Sequence, residues 1–181
     1  MDVEEQRILE VADRLFYARG FHAVAMAEIR TAAAVSLKRL YQLFPAKNEL
    51  LLAVLDHHDA EWRARLSAYV EAGDGGPLAI FDWLELRVGE RGFRGCFRLN
   101  VYAELGARSP RVAERVRDHK AYFRAYLEGL TSDGDLADHL MLLFEGATVT
   151  AAATGTTAPA RQAREAAAQA LAEKQRVAYL G

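Results

Sequence analysis

Proline at position 45 separates two segments of helical apolar spacing, and that break constrains residues 26–55, MAEIRTAAAVSLKRLYQLFPAKNELLLAVL, more than any other feature of the chain. Ile29, Ala32 and Ala33 recur at helical spacing and give a first short helix one apolar face. Ala34, Val35 and Ser36 form a turn, with Ser36 placed to cap a second helix. Leu40, Leu43 and Phe44 turn that second helix inward and leave Lys38, Arg39, Tyr41 and Gln42 on its outer side. Pro45 lacks an amide hydrogen and cannot continue the helix, so a new one starts at Lys47. Two short helices, the second basic and polar outside, make a helix-turn-helix whose second helix can enter a major groove.

Beyond residue 47 the punctuation continues to be helical. Leu51, Leu55, His58, Trp62, Leu66 and Tyr69 form a three-and-four stripe, which predicts one long helix over 47–72. Gly73, Asp74, Gly75 and Gly76 end it, and Pro77 stands at a favoured first position for a helix running to about residue 88. Further helices are expected over 96–105, 110–130, 135–154 and 159–180, with Ser109-Pro110 opening one and Gly155 closing another. The chain shows no sustained alternation of period two and no internal repeat. The expectation is an all-α protein of about nine helices. A three-helix domain over 1–46 precedes a helical bundle over 47–181.

Net charge is -2, so the whole chain carries no basic signature, but its distribution does. Residues 29–48 hold Arg30, Lys38, Arg39 and Lys47 and no acid, whereas Asp2, Glu4, Glu5, Glu10 and Asp13 crowd the first helix. A small basic island on a near-neutral chain suits a protein that meets phosphates along one edge. The 51% of hydrophobic residues is high for a monomer of this size and suits a chain that also buries a subunit interface. One cysteine, Cys96, rules out an internal disulfide and fits a reducing compartment. No signal peptide and no apolar run long enough to span a membrane is visible, so a soluble cytoplasmic protein is expected.

Residues that invite a catalytic reading have plainer ones. Cys96 follows Arg94 and Gly95, whose surroundings can activate a thiol, but at a helix start it reads first as a small hydrophobe. His57 and Glu61 have the spacing of a two-ligand metal site, without a third ligand in view. His58 falls on the apolar stripe. The glycines at 73, 75 and 76 lack the Lys-Ser/Thr of a phosphate loop. No catalytic residue, metal or cofactor is assigned.

The order Val35, Ser36, Leu40, Tyr41, Phe44, Pro45, Lys47, Glu49, Leu50 resembles the DNA-binding end of the TetR/AcrR family of transcriptional regulators. Ile8, Ala12, Leu15, Phe16 and the run Ala18-Arg19-Gly20-Phe21 resemble that family's first helix and its glycine stop. Four positions depart from the pattern. Ala25 stands where a capping threonine is usual, and Ala34 replaces the turn glycine, a cost of about 1 kcal/mol if φ is positive there. Lys38 and Arg39 stand where small residues are frequent, which implies an unusual operator. Arg94, Gly95, Cys96, Asn100 and Glu104 resemble a shorter pattern in a subset of the family, bordering a cavity for a small molecule.

The resemblance implies a repressor that binds a palindromic double-stranded operator as a homodimer and is released by a small effector. Lys38, Arg39 and Gln42 are the expected base readers, Arg39 best suited to a bidentate guanine contact. Tyr41 and Lys47 would hold phosphates, helped by Thr31 and Ser36, with Leu37 divided between a thymine methyl and packing. Trp83, Leu86, Cys96, Asn100, Glu104, Tyr122, Phe123 and Phe144 are the candidate lining of an effector cavity, which being aromatic would take a largely apolar molecule. Leu136, Leu140, Leu143, Phe144, Ala147 and Ala151, with Ala163, Ala167, Ala170, Leu171 and Val177, are the stripes expected to build the dimer. The helix over 47–72 would carry displacement from cavity to DNA. The alternative is a regulator sensing metal or thiol state through His57 and Glu61 or Cys96.

Overall fold

Asp2 opens the first helix by accepting from the Glu4 amide, while Glu5 closes a reciprocal capping box on the Asp2 backbone. The computed structural model describes residues 2–73 and 75–180, with side chains described through 176. Asp74 of the expected linker and the side chain of Val177 on the last stripe lie outside the described residues. Among the described residues every regular element is a helix: α1 (Val3–Arg19), α2 (Met26–Ala32), α3 (Leu37–Leu43), α4 (Lys47–Ala72), α5 (Ala79–Gly89), α6 (Phe97–Leu105), α7 (Pro110–Thr131), α8 (Gly134–Thr154) and α9 (Ala158–Leu180). The all-α expectation holds, and α4 spans the residues its stripe marked out.

The boundaries follow local chemistry. Gly20 stops α1 at φ 83° and ψ 161°, a conformation that belongs to glycine. Asp133 caps α8 by accepting from the Leu136 amide, and Gly155 ends that helix in the left-handed region at φ 67°. Ser109 accepts from the Val112 amide ahead of Pro110. The start of α5 departs from expectation. Leu78 occupies its cap position and the helix begins at Ala79, so Pro77 lies in the preceding turn rather than at the first helical position.

The chain divides into two compact units, Met1–Arg63 with Phe97–Asp118, and Ala64–Cys96 with His119–Gly181. Residues 1–46 lie wholly in the first unit, which also takes in the start of α4, all of α6 and the start of α7. Its core joins Ile8, Phe16, Phe21, Ile29, Leu40, Phe44, Leu50, Leu55, Phe97 and Val101, all buried. In the second unit α9 packs against α8 and α5. Phe144 lies 4.8 Å from Phe123 and 6.2 Å from Phe81, ring centre to ring centre.

That packing takes up most of the stripe expected to build the dimer. Leu136, Leu140, Phe144, Ala147 and Ala151 on α8, and Ala163 and Ala167 on α9, are buried within the chain itself. They are the core of the second unit, because small side chains let α8 and α9 of one chain approach closely. The large apolar residues of α8 left exposed are Leu142 and Val149, seven positions apart and so on one face. A shallow groove beside them runs between α8 and α9 past Gly146, Thr150, Pro159 and Gln162.

Candidate nucleic-acid interface

The turn between α2 and α3 is held by backbone geometry at one residue. Ala34 takes φ 52°, so the left-handed position is occupied by alanine, with the strain that the missing glycine implies. The Ala25 side chain makes no cap bond at the start of α2, as expected of alanine there. Ser36 compensates at α3, its Oγ accepting from the Arg39 amide at 3.0 Å. Leu40 is fully buried beneath the middle of α3 and fixes the helix's rotation. Leu37 and Tyr41 are then 47% and 45% exposed beside the exposed Lys38 and Gln42, so Leu37 faces out rather than into the core.

The remaining expected DNA contacts are engaged within the protein. Thr31 donates from Oγ1 to the Ala27 carbonyl at 2.9 Å and accepts from Arg30. Arg39 is part-buried, its Nε donating to Glu4 Oε2 at 2.8 Å and its Nη2 to Asp2. The hydrogen bond to Glu4 foremost, with the charge of Asp2, holds the guanidinium above its already high ordinary pKa against a smaller desolvation effect. Lys47 turns toward the α1–α2 turn, donating to the Phe21 carbonyl with Nζ 4.1 Å from the centre of the Phe21 ring. Burial lowers its pKa, and the Glu104 carboxylate works in the opposite direction. The basic island is therefore smaller than the sequence suggests. Lys38 is its exposed cation without a hydrogen bond or ion pair among the described residues.

Three supporting contacts in this unit had no local signature. Glu104 on α6 accepts the Phe21 and His22 amides at 3.1 and 3.2 Å, fixing the turn between α1 and α2. Glu49 on α4 takes a two-pronged bond from Arg111 of α7, and Asp13 of α1 lies 3.0 Å from Nδ1 of His58. Each joins residues more than 40 positions apart in sequence. Spacing rules read one helix at a time and miss such pairs.

The bacterial regulatory proteins of the tetR family match this chain over residues 8–54, the whole helix-turn-helix and the start of α4. A putative regulator from Streptomyces avermitilis is 32% identical, with TM-score 0.68, covering 92% of this chain and 98% of its own. The chain belongs to the TetR family. A TetR-family regulator from Streptomyces coelicolor superposes with TM-score 0.84 at 27% identity, covering 94% of this chain and 95% of its own. The transcriptional activator FasR of Mycolicibacterium smegmatis is 34% identical over 130 residues, 64% of this chain; the chain spans 53% of that relative's length. The likeness thus extends beyond the helix-turn-helix over more than nine tenths of the chain.

The expected effector residues of this TetR chain are drawn from both units. Trp83, Tyr122, Phe123 and Phe144 belong to the second unit, Phe123 and Phe144 in one aromatic cluster. Cys96 precedes α6 and is half-buried. Asn100 and Glu104 belong to the first unit, and the Glu104 carboxylate is taken up by the α1–α2 turn rather than offered to a ligand. Leu86 is 57% exposed, because it lies on the solvent face of α5, and forms no part of a buried wall. His57 and Glu61 approach to 3.4 Å, and among the described residues no group of three or more His, Cys, Asp or Glu gathers to hold a metal. No helix is long and apolar enough, among the described residues, to cross a membrane.

Proposed function

We propose that this TetR-family regulator reads a palindromic double-stranded operator as a homodimer and leaves it when a small, largely apolar effector binds. One observation carries the DNA reading. With Leu40 buried, the capped helix α3 presents Leu37, Lys38, Tyr41 and Gln42 on one exposed row. A seven-residue helix reaches only a few base pairs, so useful specificity needs a second copy on a second half-site. The outer face of α8, with Leu142, Val149 and the groove beside α9, is the apolar surface proposed for that second copy.

Lys38, Arg39 and Gln42 are proposed to reach base edges, with Tyr41 on phosphate. Selection of bound duplexes from a random pool should return an inverted repeat. Arg39→Ala should then cost about 1–3 kcal/mol on that operator and relax one base position. Equal losses on operator and random DNA would remove Arg39 from base reading. The effector is assigned to the aromatic residues of the second unit, Trp83, Tyr122, Phe123 and Phe144, since apolar walls favour apolar ligands. Trp83→Ala should weaken the thermal shift produced by a hydrophobic compound that releases DNA; unaltered affinity would place the site elsewhere.

Repression and activation are both open to a regulator of this kind, and the likeness to FasR, named an activator, supports the second reading. Transcription in vitro from a promoter carrying the selected operator separates them by the sign of the response.

A further inference from the structure

The base-reading arginine does not stand alone. Asp2 caps α1, Glu4 follows in its first turn, and both carboxylates meet the same guanidinium on α3. Glu4 takes Nε at 2.8 Å and Asp2 takes Nη2, so the side-on edge of the fork is filled. The end-on edge, Nη1 and the second Nη2 hydrogen, makes no hydrogen bond among the described residues. The side chain stays 34% exposed, enough for that edge to meet a partner.

We propose that Asp2 and Glu4 determine specificity by making Arg39 a reader of base edges and a poor ligand for phosphate. The inference rests on the base-reading role given to Arg39 above. Two carboxylates and one guanidinium sum to a charge of minus one, so the cluster repels an approaching phosphate. A phosphate that displaced either carboxylate would strand it beside the DNA backbone. A guanine offers O6 and N7, two neutral acceptors, and the free edge of the fork can donate to both without displacing either acid. Holding the fork in place also removes rotamer freedom before DNA arrives, which favours the one geometry the acids permit. Non-specific binding, which lives on phosphate contacts, is weakened, and base-specific binding is kept.

The test compares the selected operator with a random duplex of equal length, titrated by fluorescence anisotropy at several salt concentrations. The variants are Glu4→Gln alone, Asp2→Asn with Glu4→Gln, and both backgrounds carrying Arg39→Ala. Asparagine keeps the helix cap at position 2, so folding is preserved, and a thermal melt checks it. In the double variant, binding to random DNA should tighten about threefold or more and its salt slope should steepen by about one. Operator affinity should change by less than about twofold, so the specificity ratio falls. Glu4→Gln alone should fall between. With Arg39→Ala, removing the acids should change random binding by less than about twofold.

An equal gain on operator and random DNA would overturn the inference, because the acids would then only withhold Arg39 from DNA of any sequence. The same gain without Arg39 would overturn it as a bulk charge effect. A wild type with no sequence preference would remove the base-reading role and this inference with it. Retained preference with an unchanged ratio in the double variant would remove the inference alone.

Discussion

Helix α3 and the pair α8 and α9 are each built around an apolar stripe, yet only in α3 does the stripe say which side faces out. On α3 the contrast is steep. Leu40 is fully buried and Tyr41, one residue on, is 45% exposed, with Lys38 and Gln42 beside it. On α8 the contrast is shallow, since Leu140 is buried while Leu142 is 75% exposed and both are leucine. Because large apolar residues of α8 lie on its outer side as well as its inner one, its apolar content does not give its rotation, and the stripe drawn from it was mostly the inner one. Amphipathic contrast, more than apolar content, makes a helix surface legible.

Substitutions can break this comparison. The largest effect is expected at Ala167 on α9, fully buried within the chain. Ala167→Glu should destabilise the second unit by about 3–5 kcal/mol, as an unpaired buried charge does. Leu142→Glu should leave helix content unchanged and shift the sedimentation coefficient to that of a monomer. If Leu142→Glu stays dimeric at micromolar concentration, the outer face of α8 is not the interface.

On the steeper helix the same contrast should appear between neighbours. Leu40→Ala removes a fully buried side chain and should cost about 2–5 kcal/mol in a denaturant melt. Tyr41→Ala should stay within about 0.5 kcal/mol of wild-type stability while weakening DNA binding of every sequence alike. Similar melting losses at both positions would mean that α3 has no privileged outer side.

The smallest effect is electrostatic. The side-chain bond from Lys174, then the Leu136 amide, hold the Asp133 carboxyl below its ordinary value of 3.8. A depressed carboxyl contributes stability that is fully present above the ordinary value and is lost as pH falls through the depressed one. The stability difference between wild type and Asp133→Ala should thus be constant near neutrality and shrink in strong acid. A difference that grew on acidification would reverse the sign of this linkage.

The second half of the chain was legible as elements and illegible as surfaces. Glycines, prolines and capping residues gave the bounds of α4, α7 and α8 to within a residue or so, because those signals act through the backbone within one turn. The effector residues were harder. Asn100 and Glu104 share a helical face in sequence, but the Phe21 and His22 amides claim the Glu104 carboxylate from more than 80 positions away.

By itself the sequence determined an all-α chain with a helix-turn-helix, the caps at Ser36, Ser109 and Gly155 and the buried anchor of α3, all consequences of local backbone chemistry and short-range apolar spacing. Tertiary structure decided what its charges do. The acids of α1, distant in sequence from the basic island, come back onto Arg39, and Lys47 turns inward beside Phe21. Charge interactions act across space irrespective of sequence separation, so their partners become known only when the helices have packed.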